Sequence, residues 1–172
     1  MIDRATAREL ASRGLPRGLE VDDTRAQEIQ SGWFFPYRPA DHARVPIGTQ
    51  GVIVNKETGA TFGLGSAFPV ERDLALYDKG YQFHYYDLVV TGIADMERTL
   101  DTLQGLEIST VEPTYEHRTV WRIPRPLSRE ELRSRVAKLP WVFGRLHLYF
   151  RAEVLEEARR NRFFQFELLG CG

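Results

Sequence analysis

Apolar residues along this chain are spaced two apart in some stretches and three or four apart in others, and Gly or Pro stands at most of the changes. A chain punctuated in that way builds its interior from short strands and helices, because each change of period ends one element and starts another. With 172 residues, 42% of them apolar and 12% aromatic, there is enough material for a hydrophobic core, as one domain or as two small lobes. The longest uncharged runs, such as 29–37 and 59–70, fall well short of the roughly 20 residues that a membrane span needs. No apolar stretch follows the N-terminus, where Arg4, Arg8, Arg13 and Arg17 are spread through a helical pattern, so a cytoplasmic location is expected.

Residues 3–13 read as a helix with Asp3 as N-cap, Ala7, Leu10 and Ala11 on one face and Gly14 as the stop. Strands are predicted over 19–23 and 27–37, the second with Ile29, Trp33 and Phe35 on one face and an end or an edge at Pro36. A Pro-containing loop follows over 38–48. Strands 51–55 and 61–64 then flank a tight turn at Lys56-Glu57-Thr58-Gly59, and a helix after Pro69 presents Val70, Leu74 and Tyr77 up to Gly80. The first half is thus an α-β-β-β-β-α unit with an antiparallel sheet.

The second half, 81–172, reads as strand 84–91, helix 92–104, a hairpin of 106–112 with 116–123 turning at Pro113-Thr114, helix 129–138, strand 142–151, helix 153–160 and strand 163–169. Ser128 and Glu131 have the spacing of a capping box. Glu156 and Arg160 are four apart on the last helix. The order is that of a split-βαβ, ferredoxin-like unit with one extra helix. The expected fold class is α+β, with units 1–80 and 81–172.

Chemistry-bearing patterns are sparse. His42, His84, His117 and His147 have no metal-ligand spacing, and the single Cys171 has no cysteine partner, so no metal or cofactor is implied. The run Gly63-Leu64-Gly65-Ser66-Ala67-Phe68 places a bulky ring where a dinucleotide loop needs glycine. Ser66 lacks the surroundings of an activated nucleophile. Glu112 and Glu116 flank the expected turn, where two carboxylates would approach each other. Tyr77, Tyr81, Phe83, Tyr85 and Tyr86 form an aromatic run suited either to the core or to a chaperone-like or scaffolding contact. None of these points to an enzyme.

The net charge of −1 hides an uneven distribution. From 87 to 116 the seven acids Asp87, Asp95, Glu97, Asp101, Glu107, Glu112 and Glu116 face one base, Arg98; from 117 to 151 nine Lys and Arg face two acids. By default the two blocks neutralise each other across a sheet; held apart, each steers a partner of opposite sign. Arg118, Arg122, Arg145, His147, Tyr149 and Arg151 would line an RNA-binding sheet if they shared its open face, although no stacking motif accompanies them.

The segments Gly32-Trp33-Phe34-Phe35-Pro36-Tyr37, Gly51-Val52-Ile53-Val54-Asn55-Lys56-Glu57-Thr58-Gly59 and Leu64-Gly65-Ser66-Ala67-Phe68-Pro69 resemble the immunity protein 35 (YrhB-like) family over about residues 1–80. The resemblance implies a small α+β protein that binds and neutralises a cognate bacterial toxin, without catalysis, by occluding its active site. Trp33, Phe35, Gly51, Val54, Gly59 and Gly65 match the family motif, and by residue type they suit core and turn positions. The acidic stretch from Asp87 to Glu116 is the expected toxin contact.

Overall fold

The computed structural model describes residues 1–40 and 48–171; the middle of the expected 38–48 loop, with His42, lies outside the described residues. The chain divides into two compact units, Met1–Gln82 and Phe83–Gly172. Both combine helices with antiparallel sheets, and the fold class is α+β.

In the first unit, helix α1 (Arg4–Arg13) starts where the Asp3 carboxylate accepts from the Thr6 N–H at 2.8 Å. Strands β1 (Leu19–Val21), β2 (Gln27–Glu28), β3 (Gly32–Pro39), β4 (Thr49–Asn55) and β5 (Thr61–Gly65) form one sheet in the order β1-β3-β4-β5, and β2 also pairs with β3. The strand predicted over 27–37 is therefore two strands. The chain reverses at Gln30 and Ser31, whose N–H groups donate to the Asp78 carboxylate at 3.1 and 2.8 Å. Helix α2 (Val70–Asp78) supplies that carboxylate from its last residue.

Pro36 does not end the strand but sits inside β3, opposite Gly51. Its missing donor costs no ladder bond. The Asp22 N–H donates to the Pro36 carbonyl at 2.8 Å, and the Asp22 carbonyl, which proline cannot serve, accepts from the Arg25 N–H at 3.3 Å in the 3₁₀ turn Asp23–Arg25. That turn fills the gap between β1 and β2.

Phe35, Val52 and Val54 meet Ala7 and Ala11 of α1 in one cluster, with Trp33 and Leu10 packed against it. Burying those faces together is the main stabilising term for the unit. On the other helix, α2 brings Tyr77 against Phe62 with ring centroids 5.8 Å apart.

The second unit is built on strand β6 (Tyr85–Ile93), which buries Tyr86, Leu88 and Val90 on one side. Helix α3 (Met96–Gly105) begins at the Asp95 cap rather than at residue 92, because Gly92 and Ile93 are still paired in the sheet. Strands β7 (Ser109–Glu116) and β8 (Thr119–Pro126) pair with each other, and helix α4 (Arg129–Val136) carries the expected capping box between Ser128 and Glu131. Strand β9 (Trp141–Leu146), helix α5 (Ala152–Asn161) and strand β10 (Phe164–Cys171) complete the unit.

The main sheet has the order β10-β6-β9, with β6 antiparallel to both neighbours. β9 and β10 thus run parallel on either side of β6 and are joined through α5, which is one split βαβ. The second split unit of a ferredoxin-like sheet does not form, because β7 pairs with β8 in a separate two-stranded sheet. Leu100, Leu103, Leu132, Val136, Leu155 and Ala158 close over the inner sheet face.

The strand predicted over 142–151 stops at Leu146; Phe143 is buried, Val142 is exposed, and Leu146 packs against the core as Phe143 does although the two are three residues apart. Between Tyr86 and Leu88 on β6, three steps of β9 oppose two, a bulge at Gly144–Arg145 with Arg145 at φ 51°. One extra residue reverses the side-chain phase. Arg151 then lies in a 3₁₀ turn, Tyr149–Arg151, so the basic and aromatic residues expected to share an RNA-binding face do not lie on one sheet.

Candidate functional site: an exposed two-stranded ribbon

The charge blocks come together on folding. Arg129 reaches Glu97 at 2.7 Å and Asp101 at 2.6 Å; Arg133 also reaches Glu97, at 2.5 Å. Arg125 bridges Glu112 of β7 and Glu131 of α4, each at 2.7 Å, and Arg151 pairs with Glu107. Asp87 accepts from the Arg145 N–H at 2.8 Å, Asp95 caps α3 through the Arg98 N–H at 3.0 Å, and Glu116 lies 3.6 Å from the His117 ring. The two blocks neutralise each other in part, by bridges between α3 and α4 and at the ribbon root rather than across a sheet, and the acids expected to form an open face toward a toxin each make a contact inside their own unit.

Guanidinium hydrogen bonds hold the Glu97 and Glu131 carboxyls below the ordinary glutamate range; at Glu131 the backbone of Ser128 adds to the effect. Glu112 and Glu116 do not form a carboxylate pair. The turn lies at His117-Arg118, not at Pro113-Thr114, and both acids stand on β7. Among the described residues, no group of three or more His, Cys, Asp or Glu side chains could hold a metal ion. No helix of the described residues is long and apolar enough to cross a membrane.

The motif residues of the first unit are internal supports. Phe35 and Val54 are fully buried, and the Lys56 ammonium lies 5.3 Å from the half-buried Trp33 ring. A methyl group on Gly51 would come within 2.5 Å of the Phe35 carbonyl and 2.6 Å of the Phe34 ring. Gly59 has φ 72° in the β4–β5 turn, where the Asn55 side-chain oxygen accepts from the Glu57 and Thr58 N–H groups. A methyl group on Gly65 would make only an ordinary contact, 3.5 Å from the Gly48 carbonyl. In the aromatic run, Tyr77, Tyr81 and Tyr86 are buried, while Phe83 and Tyr85 are partly exposed. Burial raises the Cys171 thiol above its ordinary value and the Asp87 carboxylate adds to this, the reverse of an activated nucleophile.

The hairpin predicted over 106–123 forms as the β7–β8 ribbon, and what sequence reasoning missed is that it stands apart in a sheet of its own with its large side chains exposed. Its root is fixed, since Ile108 and Leu127 belong to the core of their unit and the Leu127 N–H donates to the Ile108 carbonyl at 2.8 Å. The Arg125 bridge to Glu131 braces the root against α4. Beyond it, Val111, Tyr115, Val120, Trp121 and Ile123 are all at least half exposed, Tyr115 most of all at 71%. Soluble domains seldom leave so many large apolar side chains together in water without a use for them.

Register sorts those side chains. Val111, Pro113 and Tyr115 share a face with Pro124, Arg122 and Val120, while Trp121 and Ile123 project from the other. The hydrogen bond at 108/127 makes 111/124, 113/122 and 109/126 non-bonded pairs, since bonded and non-bonded pairs alternate. Pro113, Pro124 and Pro126 thus fall where the missing N–H would point away from the ribbon. No ladder bond is lost, and both edges lack donors that an added strand would use.

At the tip, His117 and Arg118 both adopt left-handed backbone, φ 49° and 64°, the conformation that a two-residue hairpin turn needs and that Asn-Gly usually supplies. The alternation of Val111, Pro113 and Tyr115 was a readable strand signal, but nothing in it distinguished a half-buried strand from a free-standing one.

Compared with family models, curated proteins and solved structures, the chain matches none, so the resemblance to immunity protein 35 rests on its motif residues.

Proposed function

We propose that this chain is a cytoplasmic immunity protein that neutralises a cognate bacterial toxin by stoichiometric association, with no chemistry of its own. The observation that carries this reading is the β7–β8 ribbon, which places five large apolar side chains in solvent on a root buried in the core. Aromatic anchors on a pre-formed element are what tight protein–protein contacts are built around. The motif likeness of residues 1–80 supplies the class of partner. A toxin whose active site is plugged by a rigid ribbon is inhibited without being modified, so one inhibitor disarms one toxin.

The test is co-expression. A toxic domain encoded in the adjacent reading frame should kill host cells when expressed alone and be tolerated with this protein, and the two should purify as a 1:1 complex. Saturable turnover of a small metabolite by the purified chain, abolished by one polar substitution, would overturn the reading.

A further inference from the structure

We infer that the β7–β8 ribbon enters a cleft of the partner protein as a finger, through apolar contacts on both faces, and that the floor and wall of the cleft are acidic. The inference rests on the protein-binding reading above and names the surface and the partner's chemistry.

Enclosure follows from the distribution of side chains. Val111, Tyr115 and Val120 occupy one face and Trp121 and Ile123 the other, so a flat partner would leave one apolar face in water. Eight-residue strands make a ribbon about 27 Å long. Enclosed on both faces, it offers on the order of 800–1,000 Å², which reaches the area per partner of a stable interface, whereas one face offers about half. Strand addition is disfavoured by Pro113, Pro124 and Pro126, each of which removes an outward donor from its edge.

The acidic interior of the cleft follows from charge. Among the described residues, Glu112 and Arg125 neutralise each other at the root, but Arg118 at the tip and Arg122 on the Tyr115 face have no carboxylate partner. An enclosed guanidinium needs a counter-charge; the acid nearest the tip, Glu116, lies against the His117 ring, and neither arginine is paired within the ribbon. The partner therefore supplies carboxylates at two depths, one meeting the tip and one about halfway down.

The probe is the purified toxic domain of the adjacent reading frame, titrated with the full chain. Tyr115→Ser and Trp121→Ser should each weaken binding at least 30-fold, and the Arg118→Glu/Arg122→Glu double variant at least 100-fold. Raising salt from 50 to 500 mM should weaken the wild type more than that double variant. Asp101→Asn, away from the ribbon, should bind like the wild type. All five side chains are exposed, and an unchanged circular dichroism spectrum and unfolding midpoint confirm that each variant folds.

Wild-type binding that survives both serine substitutions overturns the finger. Loss of binding through Asp101→Asn alone returns the contact to the acidic stretch and overturns it too. Absence of any wild-type binding sinks the protein-binding reading itself. A dimer of the chain alone that Tyr115→Ser dissociates, or retention of a single-stranded RNA oligonucleotide that Arg122→Glu abolishes, would assign the ribbon to another occupant.

Discussion

Gly51 and Arg118 illustrate how much a single position carries. At Gly51 a methyl group has no room between the Phe35 carbonyl and the Phe34 ring, so Gly51→Ala forces β4 away from β3. The expected cost is about 1–3 kcal/mol, the range for overpacking a filled interior, measured by urea unfolding; a change below about 0.5 kcal/mol would contradict it. Arg118 presents the opposite case. Left-handed backbone costs a side-chain-bearing residue about 1 kcal/mol, so Arg118→Gly should stabilise the hairpin by about that amount while weakening the partner complex. If stability and affinity rose together, the tip would have no part in binding. Local chemistry of this kind was legible where the residue type announces it: the Asp3 cap, the Gly59 turn and the Ser128–Glu131 box all form. The His117-Arg118 turn was not legible, because neither residue is one that usually adopts φ > 0.

Among elements, the most consequential link is Arg125, which joins β7, β8 and α4 through Glu112 and Glu131. The Glu131 carboxyl is held below its ordinary value in the folded chain, with Arg125 the largest cause. Its contribution is therefore complete above the ordinary glutamate range and is lost as pH falls toward the folded-state value. The same sign holds for Glu97 between Arg129 and Arg133. Urea midpoints should fall between pH 5 and pH 3, and Arg125→Gln should flatten part of that slope; an identical slope in the variant would show that the bridge contributes nothing. High salt should shrink the effect, since these groups are exposed. The expected Glu156–Arg160 pair is replaced by Arg159–Glu156 at 2.8 Å, a reminder that residues three apart compete for the same carboxylate. Strand positions and the two hairpin pairings, β4–β5 and β7–β8, were legible, but the neighbours of β6 were not. Alternation marks the faces of β7 and β8 without saying whether the hairpin joins the main sheet, and the bulge at Gly144–Arg145 changes the side-chain phase within β9, between Phe143 and Leu146, with no signal in the apolar spacing.

For the whole molecule, charge that is segregated along the sequence is paired in space between α3, α4 and the ribbon root, and the ribbon beyond that root is left apolar and weakly cationic. Composition could not show this, since the same −1 net charge fits an open acidic face as well as a closed network. The central claim is that the chain works by lending a rigid ribbon to a foreign cleft. Hydrogen exchange of the complex with the adjacent toxic domain reads it most directly, because outward-facing amides such as those of Val111, Tyr115, Val120 and Arg122 have no partner within the two-stranded sheet. Binding through the ribbon predicts slowed exchange across 109–126 and little change along α3. Unchanged exchange in the ribbon, with protection appearing at α3 instead, would contradict it.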